Sequence, residues 1–104
     1  MALIRRARSA GAFAYVRHHG DDDAGAVLIK TMKDNKTAML WVPERDENYT
    51  RIWVTSTPEP CPDEDIEEII KTRLTRDPDL WVIEIEDSKG RHFLLDDETR
   101  SVDL

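Results

Sequence analysis

The residues best suited to chemistry stand late in the chain. Glu84 and Glu86 are two positions apart, Asp87 adjoins them, and His92 follows the turn Ser88-Lys89-Gly90. In an extended strand, a spacing of two puts both carboxylates on one face. A three-residue hairpin with glycine in the left-handed position would pair Asp87 with Arg91, Glu86 with His92 and Ile85 with Phe93. Two carboxylates and an imidazole on one rigid patch could hold a divalent cation, or offer an acid/base pair. The competing meaning is a solvated sheet face with a cross-strand ion pair, which is the commoner use of such residues.

Other constellations are weaker. Asp21-Asp22-Asp23 lacks the alternating ligands and closing glutamate of a calcium loop, since position 32 is Met32, and reads as a turn. Arg17 and Lys30 interrupt apolar strands; they could frame an anion site, or reach a sheet edge with the stem packed and the charge in water. Arg5, Arg6 and Arg8 give one helix a basic side that could touch nucleic acid or a membrane surface. Without interleaved aromatics, pairing with acids of this domain or of a partner is the simpler reading. Trp41, Trp53 and Trp81 fit core or interface positions. Cys61 precedes a helix start, but five acids follow it closely and oppose a lowered thiol pKa. No phosphate loop, dinucleotide glycine fingerprint, nucleophile elbow or metalloprotease helix is present, so no cofactor is expected.

These residues sit in a chain of 104, enough for one domain over residues 1–104, with 96–104 expected to fray. The formal charge is −7, unevenly spread: residues 1–20 carry +4 and the remainder −11. An acidic body repels nucleic acid and anionic membrane. One cysteine rules out a disulfide within the chain and a cysteine-built zinc or iron–sulfur site. No apolar run is long enough to span a bilayer, and the first arginines follow the apolar residues rather than precede them, unlike a secretory signal. A cytoplasmic protein is expected.

Periodicity supplies the elements that must position the candidates. Residues 2–11 carry a helical stripe of Ile4, Ala7 and Gly11 with Leu3 and Ala10 beside it, and Gly11 can stop the helix. Strands are expected at 12–19, 25–33, 37–42 and 50–57, with Pro43 to Asn48 as a charged loop. The short connections suggest that the first three form an antiparallel meander. A second helix spans 62–76, with acids at its start, Lys71, Arg73 and Arg76 at its end, and Asp77-Pro78 as its stop. Strands at 80–87 and 91–95 follow, with Trp81, Ile83, Ile85 and Phe93 on one core face. The expected fold is α+β: an antiparallel sheet of five to six strands with two helices packed on one face.

Two blocks carry a resemblance. Ala2-Leu3-Ile4-Arg5-Arg6-Ala7, Gly11-Ala12-Phe13-Ala14 and the stretch from Asp23 to Lys30 form the first. The run from Asp77 to Asp87 with Gly90-Arg91-His92-Phe93-Leu94 forms the second. Together they resemble a small, mainly alphaproteobacterial family, domain of unknown function 1491. The resemblance implies a cytoplasmic bacterial protein and brings no activity, cofactor or catalytic residue. Relatives carry a short extended segment before the first helix; without it, a sheet edge would be barer here. The expected function is a non-enzymatic protein-interaction module that self-associates or docks on another protein, with Arg5, Arg6, Arg8, Arg17, Lys30, Trp41 and Trp53 as candidate contacts. The alternative is a small metal-binding protein or metal-dependent enzyme using Glu84, Glu86 and His92.

Overall fold

Helix α1 (Ala2–Ser9) buries Leu3, Ile4 and Ala7 along one stripe. It ends in a paired cap: Gly11 takes a φ of 91°, its amide bonds to Arg8 O, and the Ala12 amide reaches back to Ala7 O. Strands β1 (Phe13–His18), β2 (Val27–Met32), β3 (Thr37–Arg45), β4 (Arg51–Thr55) and the two-residue β5 (Cys61–Pro62) follow, then helix α2 (Asp63–Arg76) and strand β6 (Trp81–Glu86). The computed structural model describes residues 2–23 and 25–95; the tail expected to fray lies outside them. Among the described residues no helix is long and apolar enough to cross a membrane.

The α+β class holds, with a mostly antiparallel sheet in the order β1-β6-β2-β3-β4, and β5 added against β3. Its path corrects the expected meander. β2 and β3 form the hairpin, but β6 inserts between β1 and β2, antiparallel to β1 and parallel to β2. The connection from β1 to β2 therefore passes over the end of β6. There Trp81 Nε1 donates to Asp21 O and the Asp21 amide bonds to Asp79 O. Gly20 and Gly25 are needed at this crossing, because a Cβ on either would overlap Asp79 O and crowd the Trp81 ring.

The helices cover opposite faces of the sheet, not one. Leu3, Ile4 and Ala7 of α1 pack with Val27, Ile29, Trp53, Trp81, Ile83 and Ile85. Ile66 and Ile70 of α2 pack with Leu28, Leu40, Val42 and Val82, the alternate residues of the same strands. The physical reason is the central parallel pair. Strands buried on both faces need cover on both, and β2 and β6 are buried along almost their whole length.

Residues 91–95 are not a strand. With β1 on one side of β6 and β2 on the other, no edge of β6 is left for a hairpin return. Gly90 does turn the chain at a φ of 71°, and Arg91 folds back onto Asp87 through three hydrogen bonds of 2.9 Å. Phe93, at a φ of 60°, then bends the segment onto the α1 face, where it packs against Trp81, Ile83 and Ile85's cluster. β3 also runs three residues further than expected, through Pro43, whose missing amide is tolerated in its pairing with Trp53.

Candidate functional site

Lys30 and Glu84 are the charged pair at the middle of the sheet, 2% and 5% exposed. The register explains their meeting. Glu84 on β6 stands between Tyr15 on β1 and Lys30 on β2, so one row across the α2 face reads Tyr15, Glu84, Lys30, Leu40. Helix α2 lies over this row and lowers Asp63 and Glu67, four apart on one face, onto it. Lys30 Nζ bonds Asp63 closely and lies 3.4 Å from Glu84 and 3.6 Å from Glu67. Arg17 grips both oxygens of Glu67, at 2.7 and 2.8 Å, and reaches Glu84 at 3.3 Å. The Tyr15 hydroxyl donates to the other Glu84 oxygen.

Each charge state is held by its neighbours. Burial opposes the Lys30 charge, but Asp63, Glu84 and Glu67 outweigh it and keep the ammonium's pKa above the ordinary lysine value. Burial likewise opposes ionised Glu84; the Tyr15 and Glu86 hydrogen bonds and the Lys30 and Arg17 charges bring it below the usual carboxylate range. The Arg17 bond lowers Glu67, and Glu67 in turn raises Arg17. Tyr15 is pushed up to about 12, first by its bond to Glu84 and then by burial. Glu86, sharing a hydrogen bond with Glu84, is raised. Lysine and tyrosine locked protonated beside a locked carboxylate hold charge in place; general acid/base work needs groups poised near neutrality.

Beside this clamp, β1 is an edge strand. Phe13 is 71% exposed, Tyr15 40% and Val16 36%. The amides of Trp81 and Asp87 bond toward β2, so the even residues Glu84 and Glu86 turn their backbones toward β1 and pair with Tyr15 and Phe13. Ala14 and Val16 accordingly point their amides and carbonyls away from the sheet. Arg8 Nε of α1 donates to Ala14 O at 2.9 Å; the Ala14 amide and both Val16 groups have no partner among the described residues. An open groove of about 320 Å³ flanks the Arg17 end between β1 and α2, and one of about 150 Å³ flanks Phe13 beside Glu86 and Met32.

Comparison with known proteins now places the chain. A family model described as a protein of unknown function, DUF1491, matches residues 1–95. The chain belongs to the DUF1491 family. A crystal structure of a DUF1491 protein from Caulobacter crescentus is similar at a TM-score of 0.83 with 41% identity, covering 91% of this chain and 89% of that one. An NMR structure of a DUF1491 protein from the same organism gives 0.81 at 41% identity, over 91% and 86%. A solution structure from A. tumefaciens gives 0.75 at 29% identity, over 95% and 91%. No curated protein matches the chain.

In this DUF1491 chain the sequence candidates divide between the two faces. Glu84, Glu86, Arg17 and Lys30 come together under α2. Lys30 lies on a central strand, which corrects its expected place at an edge. His92 is on the other face, stacked on Trp41 at 4.7 Å with its Nδ1 accepting the Leu94 amide, so the pairing with Glu86 does not form. Among the described residues no group of three His, Cys, Asp or Glu side chains is disposed to hold a metal. Arg6 Nε and Arg8 Nε donate to the backbone carbonyls of Phe93 (3.0 Å) and Ala14. Arg5 is exposed. Trp53 is buried with Nε1 donating to Leu95 O, and half-buried Trp41 donates to Thr31 Oγ1. Half-buried Cys61 points its thiol at Glu59 O. Sequence reasoning missed Tyr15, Asp63, Glu67 and Phe13. The signal was Lys30 itself: a lysine inside an apolar run demands buried carboxylates, and the acid-rich start of α2 was the nearest supply.

Proposed function

We propose that this protein is a non-enzymatic interaction module that receives an extended strand of a protein partner on the open edge of β1. The observation that carries this is the concentration of Phe13, Tyr15 and Val16, three large exposed apolar side chains, on one edge strand whose outward backbone groups, Ala14 O excepted, are unpaired among the described residues. Phe13, Tyr15 and Arg17 share one face of β1. Glu84 fixes the tyrosine and Glu67 the arginine, so two residue types that dominate binding hot spots are presented already ordered. The clamp thus serves the surface. The free thiol of Cys61 fits a reducing, cytoplasmic setting.

A photo-crosslinking residue placed at position 13 in the native bacterium tests this, with position 49 as the control because Tyr49 is 79% exposed on the β3–β4 connection. Discrete adducts at 13 that a Val16→Pro change abolishes, with none at 49, are expected. No adduct at 13, or the same adducts at both positions, would overturn the reading.

A further inference from the structure

We infer that the strand received by β1 is the β1 of a second copy of this chain, joined across a two-fold axis at Tyr15, with Arg8 guarding the edge. This rests on the docking reading above and names its occupant. Antiparallel pairing of a strand with itself is isologous, so every contact occurs twice. The backbone fixes the register. Pairing Ala14 with Val16 of the second copy, and Val16 with its Ala14, uses every outward donor and acceptor and makes four hydrogen bonds. A shift toward the N-terminus would need the Ala12 amide, which already bonds Ala7 O. A shift the other way would need His18, which lies beyond the register break between Val16 and His18.

In the remaining register the α2-side rows also match. Tyr15 meets its own copy, and Phe13 stands opposite Arg17 of the second copy, whose guanidinium stays tied inward to Glu67 and Glu84. On the α1 side the exposed Val16 stands opposite Ala14 of the other copy, which is already buried in its own chain. Edge strands that must stay single usually carry lysine, proline or a bulge; Phe13–Val16 holds no lysine or proline, and the register break lies at its end, between Val16 and His18. Arg8 guards the stretch itself: its hydrogen bond occupies Ala14 O and must be released for the pairing. A single short strand pair lies at the small end of specific interfaces, below about 1,200 Å² in total, so the dimer is weak and concentration-dependent.

Sedimentation equilibrium of the full chain up to millimolar concentration tests the inference. Wild type should approach twice its 12.0 kDa mass. Arg8→Ala should associate about fivefold more tightly, the worth of one hydrogen bond released from competition. Val16→Pro removes an amide that points away from β6, so it should leave the melting temperature unchanged and hold the protein monomeric. Should that variant fold poorly, Phe13→Asp, at a side chain already 71% exposed, should weaken the dimer about tenfold or more. Monomers throughout, or a dimer indifferent to both Val16→Pro and Phe13→Asp, overturn the inference. The crosslinks separate the two proposals: an adduct at position 13 with a different protein sinks the second copy and keeps the docking edge, and no adduct there sinks both.

Discussion

Replacing Lys30 by methionine isolates what the buried cluster contributes. The change removes a cation that is 2% exposed and faces Asp63, Glu67 and Glu84. Deleting one member of a buried ion pair costs about 3–5 kcal/mol, because the other charge stays buried without compensation. The low end applies here. Asp63 and Glu67 side chains are about one-third exposed and can turn to water, and Glu84 keeps Arg17 and Tyr15. A loss of about 3 kcal/mol in urea unfolding is expected, a large part of a typical domain stability of about 5–15 kcal/mol. It corresponds to a fall in melting temperature of about 12–24 °C at this size. Adding Glu84→Gln removes the stranded charge while keeping an acceptor for Tyr15, so the double variant should recover about 1–2 kcal/mol. The Lys30→Met deficit should also shrink in acid, where Glu84, no longer held ionised by the lysine, takes up a proton. A double variant no more stable than the single one, or a Lys30→Met protein that melts like wild type, would refute the view that these charges are mutually compensating.

Acid should destabilise the fold along a predictable limb. Glu84, Glu67 and Asp87, the last lowered to about 2 by the Arg91 guanidinium, contribute stability above the ordinary carboxylate pKa of about 4, and lose it as pH falls through their folded values. Glu86, being raised, acts in the opposite sense, its share present in acid and lost as pH rises; a melting temperature flat from about pH 5 to pH 2 would contradict this balance. Ultraviolet titration should find the Tyr15 phenol ionising at about 12, a late phase that Tyr15→Phe removes, and its contribution to stability should fade as pH climbs from about 10 to 12. Gly20→Ala should cost about 1–3 kcal/mol with altered tryptophan emission, because its methyl would overlap Asp79 O and the Trp81 ring. Gly11→Ala should cost less, since its Cβ meets nothing and only the left-handed backbone opposes it.

Much of the fold was legible locally. The stripe of α1, the acidic start and basic end of α2, the β2–β3 hairpin and the left-handed turn at Gly90 all follow from spacing and turn chemistry, and all are present. What failed was connectivity between distant segments. The short link from β1 to β2 argued for neighbours, yet β6 arrives from the far end of the chain and takes the slot. One sequence feature bore on this: Ala26-Val27-Leu28-Ile29 and Trp81-Val82-Ile83 are unbroken apolar runs, the mark of strands buried on both faces rather than half-buried in a meander. Such runs belong side by side in the middle of a sheet, with helices on opposite faces.

The same misplacement explains the site. The spacing of two sets Glu84 and Glu86 on one face, but the hairpin that would bring His92 to Glu86 cannot form on a central strand. Once β6 is central, His92 has no route back to Glu86, and the cation for Glu84 must come from the strand beside it. Lys30 is the one charged residue of β2, at the level of Glu84. It is long enough to reach α2 as well, so Asp63 and Glu67 complete the set. β1, displaced to the edge by the same insertion, is left with Tyr15 and Arg17 tied inward to those carboxylates and Phe13 turned outward. The buried charges and the exposed strand are therefore two consequences of one topological fact, the placing of β6 between β1 and β2.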